Sequence, residues 1–229
     1  LALGVTPETV TVVPNGIDVD AFLGLHSATL RRLEPLRLGS AHPIVLVPAR
    51  VTPRKNLELA VRVVAALRRD DDARLIVTGP PDPHDTAGVR YLGRLRRLAR
   101  DLDVERAVHF LGEHGQQTPP RVVADLYRVA DVLLLPSRDE GFGLPILEAA
   151  ACRLPIVCAD IPPLRDLAGD DAAYIDPAAD AADVAAVVRH AVGSAAPARF
   201  AARIRAAYGW NAVYARRIEP LLAEVAAGA

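Results

Sequence analysis

Short apolar runs that end in polar residues, separated by stretches of helical periodicity, set the pattern of this chain from residue 44 to about residue 195. Ile44 to Arg50, "IVLVPAR", has the unbroken apolar character of a strand buried on both faces. Leu57, Ala60, Val61, Val64 and Leu67 then recur at helical spacing and predict a helix from about Lys55 to Arg69. The alternation continues with a strand at Arg74 to Gly79, a basic helix over about 88–102 and a strand at Val108 to Glu113. A helix through "VVADLYRVA", a strand at "VLLLPS", a helix through "LPILEAAACR" and a strand at "PIVCAD" come next. A short helix from Pro162 and a last strand at "AAYIDP" end the series. Such alternation predicts an α/β fold: a doubly wound, mostly parallel six-stranded, Rossmann-like sheet with a ligand crevice at the carboxyl ends of its strands. Residues 1–43 read as a lead-in, with a strand and turn at "VTVVPNGIDVDAF" and a surface connection at "GLHSATLRRLEPLRLGSAHP". Residues 44–195 form the main domain and 196–229 a helical tail; Ala-rich helices run from 178 onward, with Trp210 in a polar break between them.

Composition narrows the function classes. The 229 residues are 51% hydrophobic and 24% charged, with a net charge of −1, so no basic field exists for wrapping nucleic acid. Cys152 and Cys158 offer no disulfide framework, and with no CxxC and no secretory leader the expected setting is reducing and cytoplasmic. No apolar run approaches the roughly 20 residues that span a bilayer. The chain starts at Leu1 and holds no methionine, which reads as a piece of a longer protein.

Lysine and arginine number 27 together, and Lys55 is the one lysine. It lies at the predicted start of the first helix beside Arg50 and Arg54, three cations that repel one another unless an anion sits among them. Arg54 reads as a solvated loop arginine. Lys55 reads as a compact point charge that reaches a phosphate oxygen where a guanidinium fork is too bulky. The second chemical stretch is "PSRDEGFGLPILEAAA", where Gly141 and Gly143 flank Phe142 before a helix near Leu144. Glycines there let the backbone approach a ligand, and the new helix offers unpaired N–H groups to a pyrophosphate. Glu140 and Glu148 bracket this turn; carboxylates repel phosphate but grip hydroxyls, so sugar rings suit them. Taken singly, Glu140 fits a first-turn helix acid and Glu148 an exposed helix position. Cations at the end of the first strand and carboxylates at the end of the fourth together describe a nucleotide-sugar site.

These residues resemble a family. The stretches "VVPNGIDVDAF", "ARVTPRKN", "VHFLGE", "LYRVADVLLLPS", "EGFGLPILEAAA" and "LPIVCADIPPLRDLAGDDAAYIDP" look like the C-terminal, donor-binding half of the GT-B retaining glycosyltransferases of family 4, and Glu140 and Glu148 fit that family's E-x7-E motif. The resemblance covers about residues 10–215. It implies that Arg50 and Lys55 hold the donor diphosphate and the charge of the leaving group. It implies that Glu140 meets hydroxyls of the transferred sugar, beside the backbone of Gly141, Phe142, Gly143 and Leu144, and that Glu148 takes the ribose hydroxyls. Glu113 and His114 would meet the base, "PNGID" would mark the crossing from an N-terminal domain, and Trp210 the return toward it. The implied reaction is hexose transfer from a nucleotide-diphosphate sugar with retained configuration, without a cofactor or an obligatory metal. The acceptor would bind in an N-terminal domain of similar size, absent from this chain, so this chain alone would bind donor without turnover. Two positions depart from the family pattern: Arg153 stands where glycine is common, and Asp166 where glutamate is frequent.

Other signals point less far. His109 and His114 lack a partner at metal-ligand spacing. The helix "RYLGRLRRLAR" reads as a solvated basic face, with peripheral contact to anionic lipid at the inner membrane face as its alternative. Both cysteines read as small buried residues. Rival functions on the same fold are a nucleotide-sugar 2-epimerase and a non-catalytic nucleotide-sugar-binding subunit. A nicotinamide dehydrogenase is disfavoured because no G-x-G-x-x-G follows the first strand.

Overall fold

A computed structural model of the chain describes residues 10, 11, 13–16, 18–81, 86–112, 116–194 and 206–227. Six strands pair in parallel in the order β3-β2-β1-β4-β5-β6. They are β1 (Ile44–Val47), β2 (Arg74–Val77), β3 (Val108–Phe110), β4 (Val132–Leu135), β5 (Ile156–Ala159) and β6 (Ala173–Ile175). Sequence order runs outward in one direction from β1 and in the other from β4. The two strands at that reversal therefore diverge at their carboxyl ends, where the next loops leave on opposite sides of the sheet.

Every residue of β1 and β4 is buried, because helices cover both faces. Val45, Val47, Leu75, Val77, Val132 and Leu134 face a core completed by α3 (Leu57–Leu67), α4 (Thr86–Asp101) and α8 (Ala181–Ser194). Ile44, Leu46, Ile76, Leu133 and Leu135 face the opposite core, completed by α2 (Ser27–Leu33), α5 (Pro120–Val129), α6 (Leu144–Ala151) and α7 (Pro162–Ala168). Each strand stops one to three residues before the end expected from the sequence. Pro48 and Pro136, just past β1 and β4, carry no N–H and cannot extend a ladder.

The lead-in departs from expectation. Among its described residues no strand forms; Asp18 instead caps a short helix, α1 (Val19–Leu23), accepting a 3.0 Å hydrogen bond from the amide of Ala21. The expected surface connection is a packed element. Leu33, Leu38 and Ala41 are buried, and Thr29 in α2 is fully enclosed. Asp125 of α5 accepts 2.5 Å and 2.9 Å bonds from the Thr29 hydroxyl and the His26 amide. Burial alone would raise the pKa of Asp125, but Thr29, His26 and Arg128 together hold it below the usual carboxylate range.

The tail differs too. Trp210 starts a helix, α9 (Trp210–Val213), which continues through a π turn (Tyr214–Ile218) into α10 (Glu219–Ala227). Its half-exposed indole lies directly over Gly16 of "PNGID": a Cβ built on Gly16 would stand 2.6 Å from the ring. Only glycine lets this segment and the tail meet at this distance.

Candidate functional site

The loops after β1 and β4 meet above the sheet. After β1, Pro53–Lys55 forms one 3-10 turn, and Asn56 follows in the left-handed region at φ 52° before α3 begins at Leu57. Lys55 is therefore the last residue of a separate turn and not the first of the long helix. Asn56 is one of the few residues that tolerate this backbone. Its buried Nδ2 donates to the carbonyls of Pro136 at 3.0 Å and Pro177 at 2.9 Å, joining the ends of β1, β4 and β6.

Further bonds bind the two loops. The Arg138 amide donates to the Arg54 carbonyl at 2.8 Å, and the Arg138 guanidinium to the Pro53 carbonyl at 3.1 Å. Arg54 stays exposed, with one long contact to the Asp139 carbonyl, as expected of a solvated loop arginine. On this frame Lys55 Nζ donates to Glu140 Oε1 at 2.5 Å, with the side chains only 11% and 8% exposed. Ser137, fully buried at the end of β4, donates to the same oxygen at 2.8 Å. Two donors thus fix Oε1, and among the described residues no protein donor reaches Oε2. Glu140 lies ahead of α6 and not in its first turn, so the helix-acid reading fails. Arg50 is exposed on the β1 side of the mouth, and among the described residues no carboxylate pairs with it.

Gly143 caps α6 from φ 97°, a conformation costly to any other residue; a Cβ there would also come within 2.8 Å of Leu164 Cδ2. Phe142 and Leu144 project into solvent beside Glu140, at 57% and 60% exposure. One turn into α6, the exposed Glu148 accepts a hydrogen bond at Oε2 from the phenol of Tyr127, a buried residue of α5. Burial first, and the carboxylate second, push the Tyr127 phenol far above its usual pKa, so it stays a donor. Tyr127 and Ser137 are the contributors that sequence reasoning missed. A tyrosine on a buried helix face calls for a hydroxyl partner, which is the signal that was there to be used.

The structure brings Lys55, Glu140, Gly141, Phe142, Gly143 and Leu144 to one mouth, with Arg50 and Glu148 on its flanks. Glu113 and His114 lie outside the described residues. The Thr118 hydroxyl donates to the Thr78 carbonyl at 2.6 Å, tying the loop after β3 to the end of β2. Arg153 holds the left-handed turn after α6 at φ 54° without being glycine, and Asp166 is exposed on α7.

Other expectations resolve as follows. Cys158 is buried, its thiol pushed up to about 12 by burial and then by Asp160, but Cys152 is exposed at the end of α6, against expectation. The Ala-rich helix offers too little contrast between faces to place it. On α4, Leu92 and Leu95 enter the core while Arg90, Arg94, Arg96, Arg97 and Arg100 face outward. Among the described residues no helix is long and apolar enough to cross a membrane. His109 is largely buried in β3; burial and then Arg74 lower it to about 4, and among the described residues its Nε2 has no hydrogen-bond partner. It borders a hollow of about 480 Å³ along the β3 edge, with Leu36, Arg96 and Glu105, away from the Lys55–Glu140 mouth.

A family model described as glycosyl transferases group 1 matches residues 33–205, well over half of the chain. The chain belongs to the group 1 glycosyl transferases. The D-inositol 3-phosphate glycosyltransferase of Kineococcus radiotolerans is 36% identical over 180 residues, covering 74% of this chain and 38% of that protein. The enzyme of the same name from Geodermatophilus obscurus is 33% identical over 239 residues, covering 99% of this chain and 49% of the relative. The chain thus spans about half the length, or less, of these relatives. Among solved structures, sucrose-phosphate synthase from Thermosynechococcus elongatus superposes with a TM-score of 0.60 at 24% identity, over 96% of this chain and 53% of that one. Anabaena Alr3699/HepE in complex with UDP and glucose gives 0.59 at 20%, over 100% and 59%. The architecture of this chain is that of the Rossmann-like C-terminal domain of the GT-B glycosyltransferases.

Proposed function

We propose that this chain is the donor-binding half of a family 4, retaining hexosyltransferase that uses a nucleotide-diphosphate sugar without an obligatory metal. The observation that carries the reading is the convergence of Lys55 and Ser137 on Glu140 Oε1 at the mouth between β1 and β4. An isolated carboxylate there would repel a diphosphate. Held against the ammonium it is neutralised, and Oε2 remains to accept sugar hydroxyls. Lys55 keeps two further N–H donors and, with Arg50, offers positive charge to the leaving diphosphate. Fixed charges of this kind contribute about 3–4 kcal/mol each to the transition state. The amides around Gly141 to Leu144 supply further donors, and Glu148 of the E-x7-E pair accepts the ribose hydroxyls.

In this reading the acceptor binds a part of the protein outside this chain, which spans about half or less of the length of the relatives it matches. Relatives named for D-inositol 3-phosphate make a polyol phosphate the first acceptor to try. The test incubates the full-length protein with UDP-, GDP- and ADP-hexoses and D-inositol 3-phosphate, with and without EDTA. Nucleoside diphosphate release, an α-configured product from an α-configured donor and indifference to EDTA are expected. This chain alone should bind donor and release no more diphosphate than background. Turnover by this chain alone, or an epimerised sugar as the product of the full-length protein, would overturn the reading.

A further inference from the structure

Tyr127 lies in the stretch "LYRVADVLLLPS" with no role assigned to it, yet its hydroxyl is the partner of Glu148. The phenol ring is buried in α5, whose Val122, Leu126 and Val129 are anchored in the core and whose Asp125 is tied to α2. Glu148 is the opposite: an exposed glutamate on α6 with several rotatable bonds. Left to itself, such a side chain spreads over rotamers and offers its oxygens in no set direction. The Tyr127 hydroxyl, donated to Oε2 from a rigid helix, selects one of those rotamers. A carboxylate has about four acceptor positions. With one of them taken by Tyr127, Oε1 and the second lone pair of Oε2 remain, side by side, to accept the two hydroxyls of a vicinal diol.

We propose that Tyr127 is a positioning residue that aims Glu148 at a ribose diol and so gives this site its preference for ribo- over 2′-deoxyribonucleotides. This rests on the donor-site reading above. The phenol touches no substrate and acts only through the carboxylate. Its high pKa keeps the donor in place throughout the working range of pH.

The experiment measures binding of UDP, GDP and ADP, and of their 2′-deoxy counterparts, to this chain by calorimetry; the tightest of the three bases sets the probe. Tyr127→Phe, which keeps the ring, should weaken the ribonucleotide about tenfold, the usual worth of one hydrogen bond to a charged group, and the 2′-deoxynucleotide, which keeps only the 3′-hydroxyl, distinctly less. In a Glu148→Ala background the same change should add nothing. Glu148→Asp, with Tyr127 intact but its carboxylate drawn back from the phenol, should reproduce the selective loss. If Glu148→Ala weakens the ribonucleotide but Tyr127→Phe does not, Tyr127 has no positioning role and the donor site stands. If Tyr127→Phe weakens both sugars alike, and equally without Glu148, its role is structural packing and the proposal fails. If no nucleotide binds, or Glu148→Ala leaves binding unchanged, the donor-site reading falls with it.

Discussion

Replacing Lys55 by methionine should destabilise the fold before any ligand is considered. The ammonium lies 2.5 Å from Glu140 Oε1, with both side chains nearly out of solvent. At that separation, and an effective dielectric near 20, the gross attraction is about 6–7 kcal/mol before desolvation is subtracted. Breaking one side of a buried pair leaves the other charge uncompensated, which typically costs about 3–5 kcal/mol. Ser137 still donates to Glu140 and the mouth admits water, so the loss should fall at or just below that range: about 2–3 kcal/mol, or about 4–12 °C in Tm for a chain of this size. Glu140→Gln alone should cost a comparable amount. The double variant should cost no more than either single variant, because neither charge is then stranded, so the two losses should fall short of additivity by at least about 2 kcal/mol. Urea unfolding of the four proteins at low and high salt measures this, and a buried pair should respond little to salt. Effects that add within about 0.5 kcal/mol would mean that the two groups do not meet in solution, and the argument built on their contact would be wrong.

Three further outcomes follow from the same frame. Asn56→Ala forces a strained φ and strands the carbonyls of Pro136 and Pro177, and should cost about 3 kcal/mol in chemical denaturation; a loss under about 1 kcal/mol would count against the three-loop junction. Gly143→Ala, at φ 97° and 2.8 Å from Leu164, should lower stability by about 1–3 kcal/mol by thermal unfolding, with unchanged Tm as the contrary result. His109 is held near 4 when folded and titrates near 6.5 when unfolded, so below pH 6.5 the unfolded chain binds the extra proton. Its contribution is whole above that pH and fades as pH falls toward 4, by up to about 3 kcal/mol, so His109→Gln should flatten the stability profile between those values and leave the alkaline side alone.

The central strands were legible because a strand covered on both faces must be apolar throughout, as "IVLVPAR" and "VLLLPS" are. Where those strands end was less so, since ladder length depends on the neighbour's register and on prolines that merely permit an ending. α2 was misread because its arginines dominate a short stretch, while the tie that buries it, Thr29 to Asp125, spans 96 residues. Lys55, Glu140, Glu148 and the glycines could be found from their chemical types around one turn. That Lys55 ends a 3-10 turn was hidden, because it depends on Asn56 adopting φ 52° to reach two carbonyls on other loops. The same distance effect concealed Tyr127, 21 residues from the carboxylate it holds.

The central claim is that a sugar-linked diphosphate docks against Lys55, and calorimetry tests it most directly. UDP-, GDP- and ADP-hexoses are titrated into this chain and into its Lys55→Ala variant, with circular dichroism confirming that both are folded. The account predicts that at least one donor binds the native chain and binds the variant at least about tenfold more weakly, one lost charge-assisted contact. A donor that binds both proteins equally well would contradict it.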